Sequence, residues 1–186
     1  MASIIKANKL QDFAGNDILS SDGAGVITPN ANGIKNVPAF SASIGSDQTL
    51  SDATDTKGNY DTEAFDTDGA YDTSNKRFTV PSGEDGKYFL YARGRFNMSN
   101  NQSQFDISIR KNGSEIAKNR IYSGAAGTKI FNSTTFFSYE VSTIATLSVT
   151  DYIEVYVMSN DTGGSNITFN SGIINSEFSG YKLIGA

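Results

Sequence analysis

The chain has 186 residues, of which 38% are hydrophobic and 19% are charged, and it contains no cysteine, histidine or tryptophan. This composition excludes disulfides, thiol nucleophiles and the Ser–His–Asp triad. The longest unbroken apolar run is Tyr88–Ala92, whereas a membrane-spanning helix needs roughly 20 residues. The first residues lack the apolar segment of a signal peptide. We therefore expect that the chain does not insert into a membrane. We also expect that it is made in the cytoplasm and is not secreted.

Charge is unevenly distributed along the chain. The formal net charge of -5, from 15 basic and 20 acidic residues, argues against a nucleic-acid partner. Asp47–Asp72 holds eight acids and one base, whereas Lys87–Lys129 holds eight bases and two acids. Such blocks either pair within one fold, pair between neighbouring subunits or form solvated faces, and the sequence leaves these alternatives open.

Residues 1–36 differ from the rest of the chain. Scattered apolar residues separated by Asn, Asp, Ser and Gly predict two or three short strands, with turns at 14–16 and 22–23. Because this segment carries too little apolar surface to fold alone, we interpret it as an arm that docks on another protein. The candidate docking residues are Ile4, Ile5, Leu10 and Phe13. Val37-Pro38 marks the start of the main domain, residues 37–186.

The main domain shows strand-like alternation and almost no helical periodicity. Tyr88–Phe96 alternates between an apolar face and a face that begins aromatic and ends basic. Asn112-Gly113 is typical of a two-residue hairpin turn. The apolar run near the end of the chain predicts a closing strand inside a sheet. Size and turn spacing favour an all-β sandwich.

Five segments resemble, in order, the globular-head domain of the complement q component, which shares a jelly-roll superfamily with tumour necrosis factor. They are Pro38–Ile44, Phe65–Phe96, Ile107–Ala117, Leu147–Val157 and Phe178–Ile184. Thr150-Asp151 stands where the family usually has Gly-Asp. The resemblance implies a ten-stranded antiparallel jelly-roll sandwich, assembled as a homotrimer. It also places the Phe-x-Gly motif of the closing strand near the subunit contact.

We expect the trimer contact to bury aromatic residues that alternation places on outward faces. The predicted contact residues are Phe89, Tyr91, Phe136, Tyr152, Tyr156, Phe178, Gly180 and Tyr181. Glycine is unfavourable inside a strand, so Gly180 indicates either close approach of a neighbouring subunit or a bulge. Under the first interpretation, Gly180→Val breaks the trimer and leaves a β-rich monomer.

The acidic residues are candidates for two kinds of chemical site. The acids of Asp47–Asp72 suggest either a calcium site or a solvated loop, and the order of residues after Asp66 does not fit an EF-hand. Glu63 and Asp66 form a candidate carboxylate pair for glycoside hydrolysis, without a tryptophan platform for sugar. We predict no catalytic residue, metal or cofactor.

The basic residues have two interpretations. They either bind an anionic glycan or phosphate, or pair with acids of a neighbouring subunit. The basic cluster comprises Arg93, Arg95, Arg110, Lys111, Lys118 and Arg120, and the main candidates for these contacts are its first four members.

The arm segment Ala7–Thr28 and the segment Tyr60–Ser74 resemble segments of tail-fibre-like virion proteins of bacteriophages. This similarity implies a non-enzymatic, trimeric structural protein of the virion, a tail-fibre or receptor-binding component attached through residues 1–36. Its expected partners are two further copies of itself, another virion protein and a glycan or protein on the host surface. The alternatives are a capsid decoration (cement) protein, a bacterial surface protein with the same domain, or a carbohydrate-active enzyme.

Overall fold

The computed structural model describes residues 7–29, 36–98, 101–124, 128–130 and 135–184. Ile4 and Ile5 therefore lie outside the described residues. The described residues form sixteen β-strands and no α-helix, which confirms the all-β prediction. No helix among them is long and apolar enough to cross a membrane.

Three short strands near the N-terminus form a separate antiparallel sheet, which we call the arm sheet. They are β1 (Lys9–Gln11), β2 (Asp17–Ser21) and β3 (Ile27–Pro29). Each connecting turn contains a glycine with positive φ, Gly15 at 85° and Gly23 at 79°. Asp12 and Asp22 accept backbone hydrogen bonds across these turns. The predicted number of strands and the predicted turns are thus observed.

The remaining strands form two sheets. They are β4 (Ala39–Ser43), β5 (Gln48–Leu50), β6 (Thr56–Lys57), β7 (Thr62–Asp66), β8 (Tyr71–Asp72), β9 (Arg77–Thr79), β10 (Gly86–Met98), β11 (Gln102–Lys111), β12 (Ser114–Tyr122), β13 (Thr135–Leu147), β14 (Tyr152–Asp161), β15 (Ile167–Phe169) and β16 (Ser176–Lys182). Several have only two or three residues, so the strand count is approximately the predicted ten.

The first sheet is built around β10. Strand β13 pairs with its whole length on one side, and β16 and β15 pair with it on the other. Strand β16 also pairs with β4, which in turn pairs with β7. The closing strand therefore lies inside the sheet, as predicted. The second sheet has the order β12-β11-β14-β9-β8, and β6 also pairs with β14.

The core lies between the two sheets and is rich in aromatic residues. The ring of Phe40 stacks on Phe78 at 4.7 Å between centroids and meets the edge of Phe178 at 4.9 Å. Buried Tyr60 donates a hydrogen bond to the carbonyl oxygen of Arg93, at 3.0 Å, and burial raises its pKa. The alternation of each long strand thus separates a buried face from an outer face.

The predicted hairpin is also observed. Asn112 and Gly113 have φ values of 51° and 80° and connect β11 to β12. Both residues of a type I′ turn need positive φ, which Asn and Gly adopt most readily.

Candidate interaction surfaces

The outer face of the first sheet carries an exposed row of apolar side chains. Register places Phe89 of β10 opposite Ile144 of β13 on one side and Tyr181 of β16 on the other. The rings of Phe89 and Tyr181 are 5.4 Å apart, and Ile144 is 60% exposed. The next row contains Tyr91. Further across the sheet, the same row contains the exposed Phe65 of β7. We call this outer surface of β10, β13, β16, β4 and β7 the contact face.

A band of charged residues crosses the contact face beside the apolar rows. The Nε atom of Arg93 lies 3.4 Å from a carboxylate oxygen of Glu177, and Glu140 occupies the paired position on β13. Tyr91 donates a hydrogen bond of 2.7 Å to Glu140, and burial together with this bond raises the pKa of Tyr91 to about 12. The acids thus hold Arg93 and Tyr91 in fixed positions on the face.

Beyond this band, Arg95 covers an exposed ring. Its guanidinium carbon lies 4.1 Å from the ring centroid of Phe136. The structure therefore brings six predicted residues together on the contact face. They are Phe89, Tyr91, Phe136, Tyr181, Arg93 and Arg95. Ile144 and Phe65 were missed, although strict alternation along β13 could have identified Ile144.

Two predicted contact residues lie on the other sheet. Tyr152 and Tyr156 are on the outer face of β14, where the guanidinium groups of Arg77 and Arg110 cover their rings at 4.8 and 4.0 Å. Tyr152 and Tyr156 thus lie on the opposite side of the sandwich from Phe89, and their assignment to the trimer contact stays a prediction.

Phe178 and Gly180 face the core. Phe178 is 0% exposed and packs against Phe40 and Tyr60. A β-carbon on Gly180 would meet Leu90, Phe40 and the backbone oxygen of Phe89, each at 3.0 Å. The close approach predicted at Gly180 exists, but the atoms concerned belong to the same chain. The assignment of both residues to a subunit contact is therefore wrong.

The predicted basic cluster is divided between the two sheets. Arg110 forms an ion pair with Asp55, and the Nζ atom of Lys111 lies 2.7 Å from Asp151. The bond from Lys111, with further hydrogen bonds from Ser148 and Asn112, lowers the pKa of Asp151 to about 2. Arg110 and Lys111 therefore pair with acids of their own chain, on the second sheet, rather than joining Arg93 and Arg95.

A polar pocket of about 210 Å³ opens on the outer face of the second sheet. It is lined by Asp55, Asp106, Ser108, Arg110, Lys118, Arg120 and Met158. Arg120 binds Asp106 through two nitrogens, Nε at 2.9 Å and Nη2 at 2.6 Å, and this carboxylate raises the pKa of the guanidinium. Lys118 and Arg120 belong to the predicted basic cluster, whereas Asp106 was not predicted as a site residue.

The acids of Asp47–Asp72 are engaged in loop hydrogen bonds. Asp47 accepts from the backbone of Ser171 at 2.7 Å, and Asp66 accepts from the backbone of Tyr71 at 2.6 Å. Within the described part of the chain, no three potential metal-ligating side chains of His, Cys, Asp or Glu lie close enough to hold an ion. Asp47 and Asp66 thus support loops, whereas Asp55 pairs with Arg110.

The arm sheet has one polar and one apolar face. Lys9, Gln11 and Asp17 meet on the polar face, where Lys9 and Gln11 bind the Asp17 carboxylate and lower its pKa. On the other face, Leu10 pairs with Leu19, and both line a shallow pocket with Ile27. Leu10 is 54% exposed, and Phe13 is fully exposed in the first turn.

Comparison with known proteins finds similarity of structure only. No family model and no curated protein matches the chain. The globular domain of zebrafish complement 1qA protein is 16% identical, with a TM-score of 0.51, over 78% of this chain and 96% of that one. Eiger, a tumour necrosis factor from S. frugiperda, is 12% identical, with a TM-score of 0.52, over 80% and 95%.

A third similar structure is murine APRIL, which is 13% identical, with a TM-score of 0.53, over 78% of this chain and 99% of that one. These likenesses confirm the predicted jelly-roll fold of the complement q and tumour necrosis factor type. They extend across nearly the whole of each compared domain.

Proposed function

We propose that the chain is a non-enzymatic structural protein of a bacteriophage virion. Three copies associate through the contact face, the arm attaches the trimer to the particle, and the jelly roll binds a glycan or protein on the host surface. The observation that carries this proposal is the contact face, where aromatic and aliphatic side chains lie in adjacent rows on the outside of a sheet. Exposed patches of this kind mark interaction sites.

Burial of the contact face would contribute to association. Phe65, Phe136 and Ile144 are each at least half exposed, and complete burial of such a side chain is worth about 1.5 to 3 kcal/mol. Covering the exposed halves therefore yields roughly 1 kcal/mol per side chain, at several positions in every subunit. The trimeric state implied by the resemblance would repeat this gain around a closed threefold ring.

The arm sheet supports attachment to a second protein. A sheet with one apolar face is stable only when another layer covers that face. The apolar face of Leu10, Leu19 and Ile27 is open in the isolated subunit, and its pocket of about 160 Å³ offers a place for a partner side chain. Another virion protein is the partner that we propose for this face.

The contacts of Asp66, one member of the candidate catalytic pair, support a structural role for this residue. Glu63 and Asp66 lie on the short strand β7, and Asp66 accepts hydrogen bonds from the backbone of Asp68 and Tyr71. The turn accounts for the position of the Asp66 carboxylate, so a catalytic role is not needed to explain it.

Sedimentation of the full chain tests the assembly. The expected mass at micromolar concentration is three times the subunit mass of 19.9 kDa. A mass equal to one subunit would contradict the proposal. Deletion of residues 1–30 should leave a folded trimer that no longer attaches to purified virions, and full attachment of this truncated protein would exclude the arm as the anchor.

Copy number separates a fibre from a decoration protein. A fibre occurs at few positions on a particle, whereas a decoration protein covers the shell. Gel densitometry of purified virions measures the copy number relative to the major capsid protein. We expect the low ratio of a fibre. A ratio near one per capsid subunit would favour the decoration alternative.

A further inference from the structure

The polar pocket of the second sheet lies on the opposite side of the sandwich from the contact face. A trimer whose three contact faces meet around the threefold axis would leave this pocket open to solvent in every subunit. Its seven lining residues come from one subunit.

Three of the four accessible charged groups in the lining are cationic. The side chain of Arg120 is 49% exposed, and those of Lys118 and Arg110 are 28% and 20% exposed. Asp55, at 46%, is the most accessible acid of the lining, whereas Asp106 lies beneath Arg120 at 6%. The rim thus offers three cationic donors and one accessible carboxylate acceptor.

Existing contacts hold these donors in place before any ligand arrives. Arg110 is fixed between Asp55 and the ring of Tyr156, and Lys118 forms an ion pair with Glu115. Arg120 binds Asp106 through Nε and Nη2, whereas a guanidinium carries five N–H donors in all. Groups fixed in advance lose little entropy on binding, which favours recognition of a small ligand.

We propose that this pocket binds an acidic saccharide. Its carboxylate or phosphate contacts Lys118 and Arg120, a hydroxyl donates to Asp55, and the sugar ring lies over Met158. A charged ligand group bound by Arg and Lys forms stronger hydrogen bonds than a neutral one. The inference rests on the proposed host-binding function and names the chemical class of glycan and its site.

Binding is measured on the full chain by saturation-transfer NMR with three probes: galacturonic acid, glucose 6-phosphate and neutral galactose. We expect both anionic sugars to bind more tightly than galactose, and we expect binding to weaken with added salt. Preference for one anionic sugar identifies carboxylate or phosphate as the charged group. Equal binding of galactose, or no binding of either anionic sugar, would overturn the proposal.

Variants separate a specific site from general charge attraction. Lys118→Gln should weaken binding of the preferred sugar about tenfold, the loss of one charged hydrogen bond. Lys118→Arg should restore most of it. The exposed Lys87, on the first sheet, provides the control: Lys87→Gln makes the same charge change and should leave binding unchanged. Equal losses in the two Gln variants would contradict a site at the pocket.

The result is independent of assembly. Because the pocket lies within one subunit, a monomeric protein would still be expected to bind the sugar, and a trimer without sugar binding would contradict only this inference.

Discussion

Gly180 lies so close to Leu90 that a β-carbon at position 180 would stand 3.0 Å from the Cδ2 atom of Leu90. The backbone oxygen of Phe89 lies at the same distance and cannot move without shifting β10. Glycine is thus required here by the packing of the subunit's own core.

Gly180→Val should lower the free energy of unfolding by about 1 to 3 kcal/mol, because it overpacks this part of the core. The thermal midpoint should fall, while sedimentation in native buffer should still show a trimer. A folded monomer with an unchanged thermal midpoint would instead show that Gly180 lies at the subunit contact.

Phe89→Glu should convert the trimer into monomers. It places one carboxylate on the contact face of each subunit, three in the trimer, beside Tyr181 and Ile144, where their burial would cost more than the interface gains. Sedimentation should give one subunit mass, with a β-type circular dichroism spectrum. The matched control is Tyr122→Glu, at an exposed aromatic on the second sheet, which should remain trimeric. Dissociation of both variants would show that any added charge has this effect.

Thr150→Gly should stabilise the protein by about 0.5 to 1 kcal/mol. Thr150 has a φ of 71°, a conformation that costs a β-branched residue more than glycine, and its side chain is exposed. Urea unfolding measures the gain. Thr146→Gly, in the regular strand β13, should have the opposite sign, since glycine weakens a strand. A loss at position 150 would mean that the threonine side chain contributes to the loop.

Asp151→Asn should be destabilising near pH 5 and nearly neutral near pH 2. The folded state lowers the pKa of Asp151 to about 2, so its contribution is present above its ordinary pKa of about 4 and is lost as the pH falls towards 2. Thermal midpoints of both proteins between pH 5 and 2 should therefore converge. A constant difference over this range would show that the charge of Asp151 is not involved.

Local sequence patterns predicted much of the fold, because each depends on neighbouring residues. Alternation identified the inward face of Tyr88–Phe96, and Asn112-Gly113 identified the hairpin. Alternation also places Phe178 and Gly180 on one face and Tyr181 on the other, so strict use of the pattern would have separated the core residues from the contact residue.

Contacts between distant segments were not predictable in the same way. A period of two distinguishes inside from outside within a strand, but not which sheet the strand joins. Tyr152 and Phe89 were therefore grouped although they lie on opposite faces. The pairing of Arg110 with Asp55 joins residues far apart in sequence, and only the arrangement of β6 beside β14 brings them together.

The position of β16 between β10 and β4 has a consequence for how the protein is made. On the ribosome, β4 emerges first among these strands and has no partner on that side until Ser176–Lys182 has been synthesised. Until then, two strand edges remain open to pairing with other nascent chains. Closure also joins segments separated by most of the chain, which slows folding. The first sheet can therefore be completed only after β16 has been synthesised. Chains that stop before β16 should aggregate.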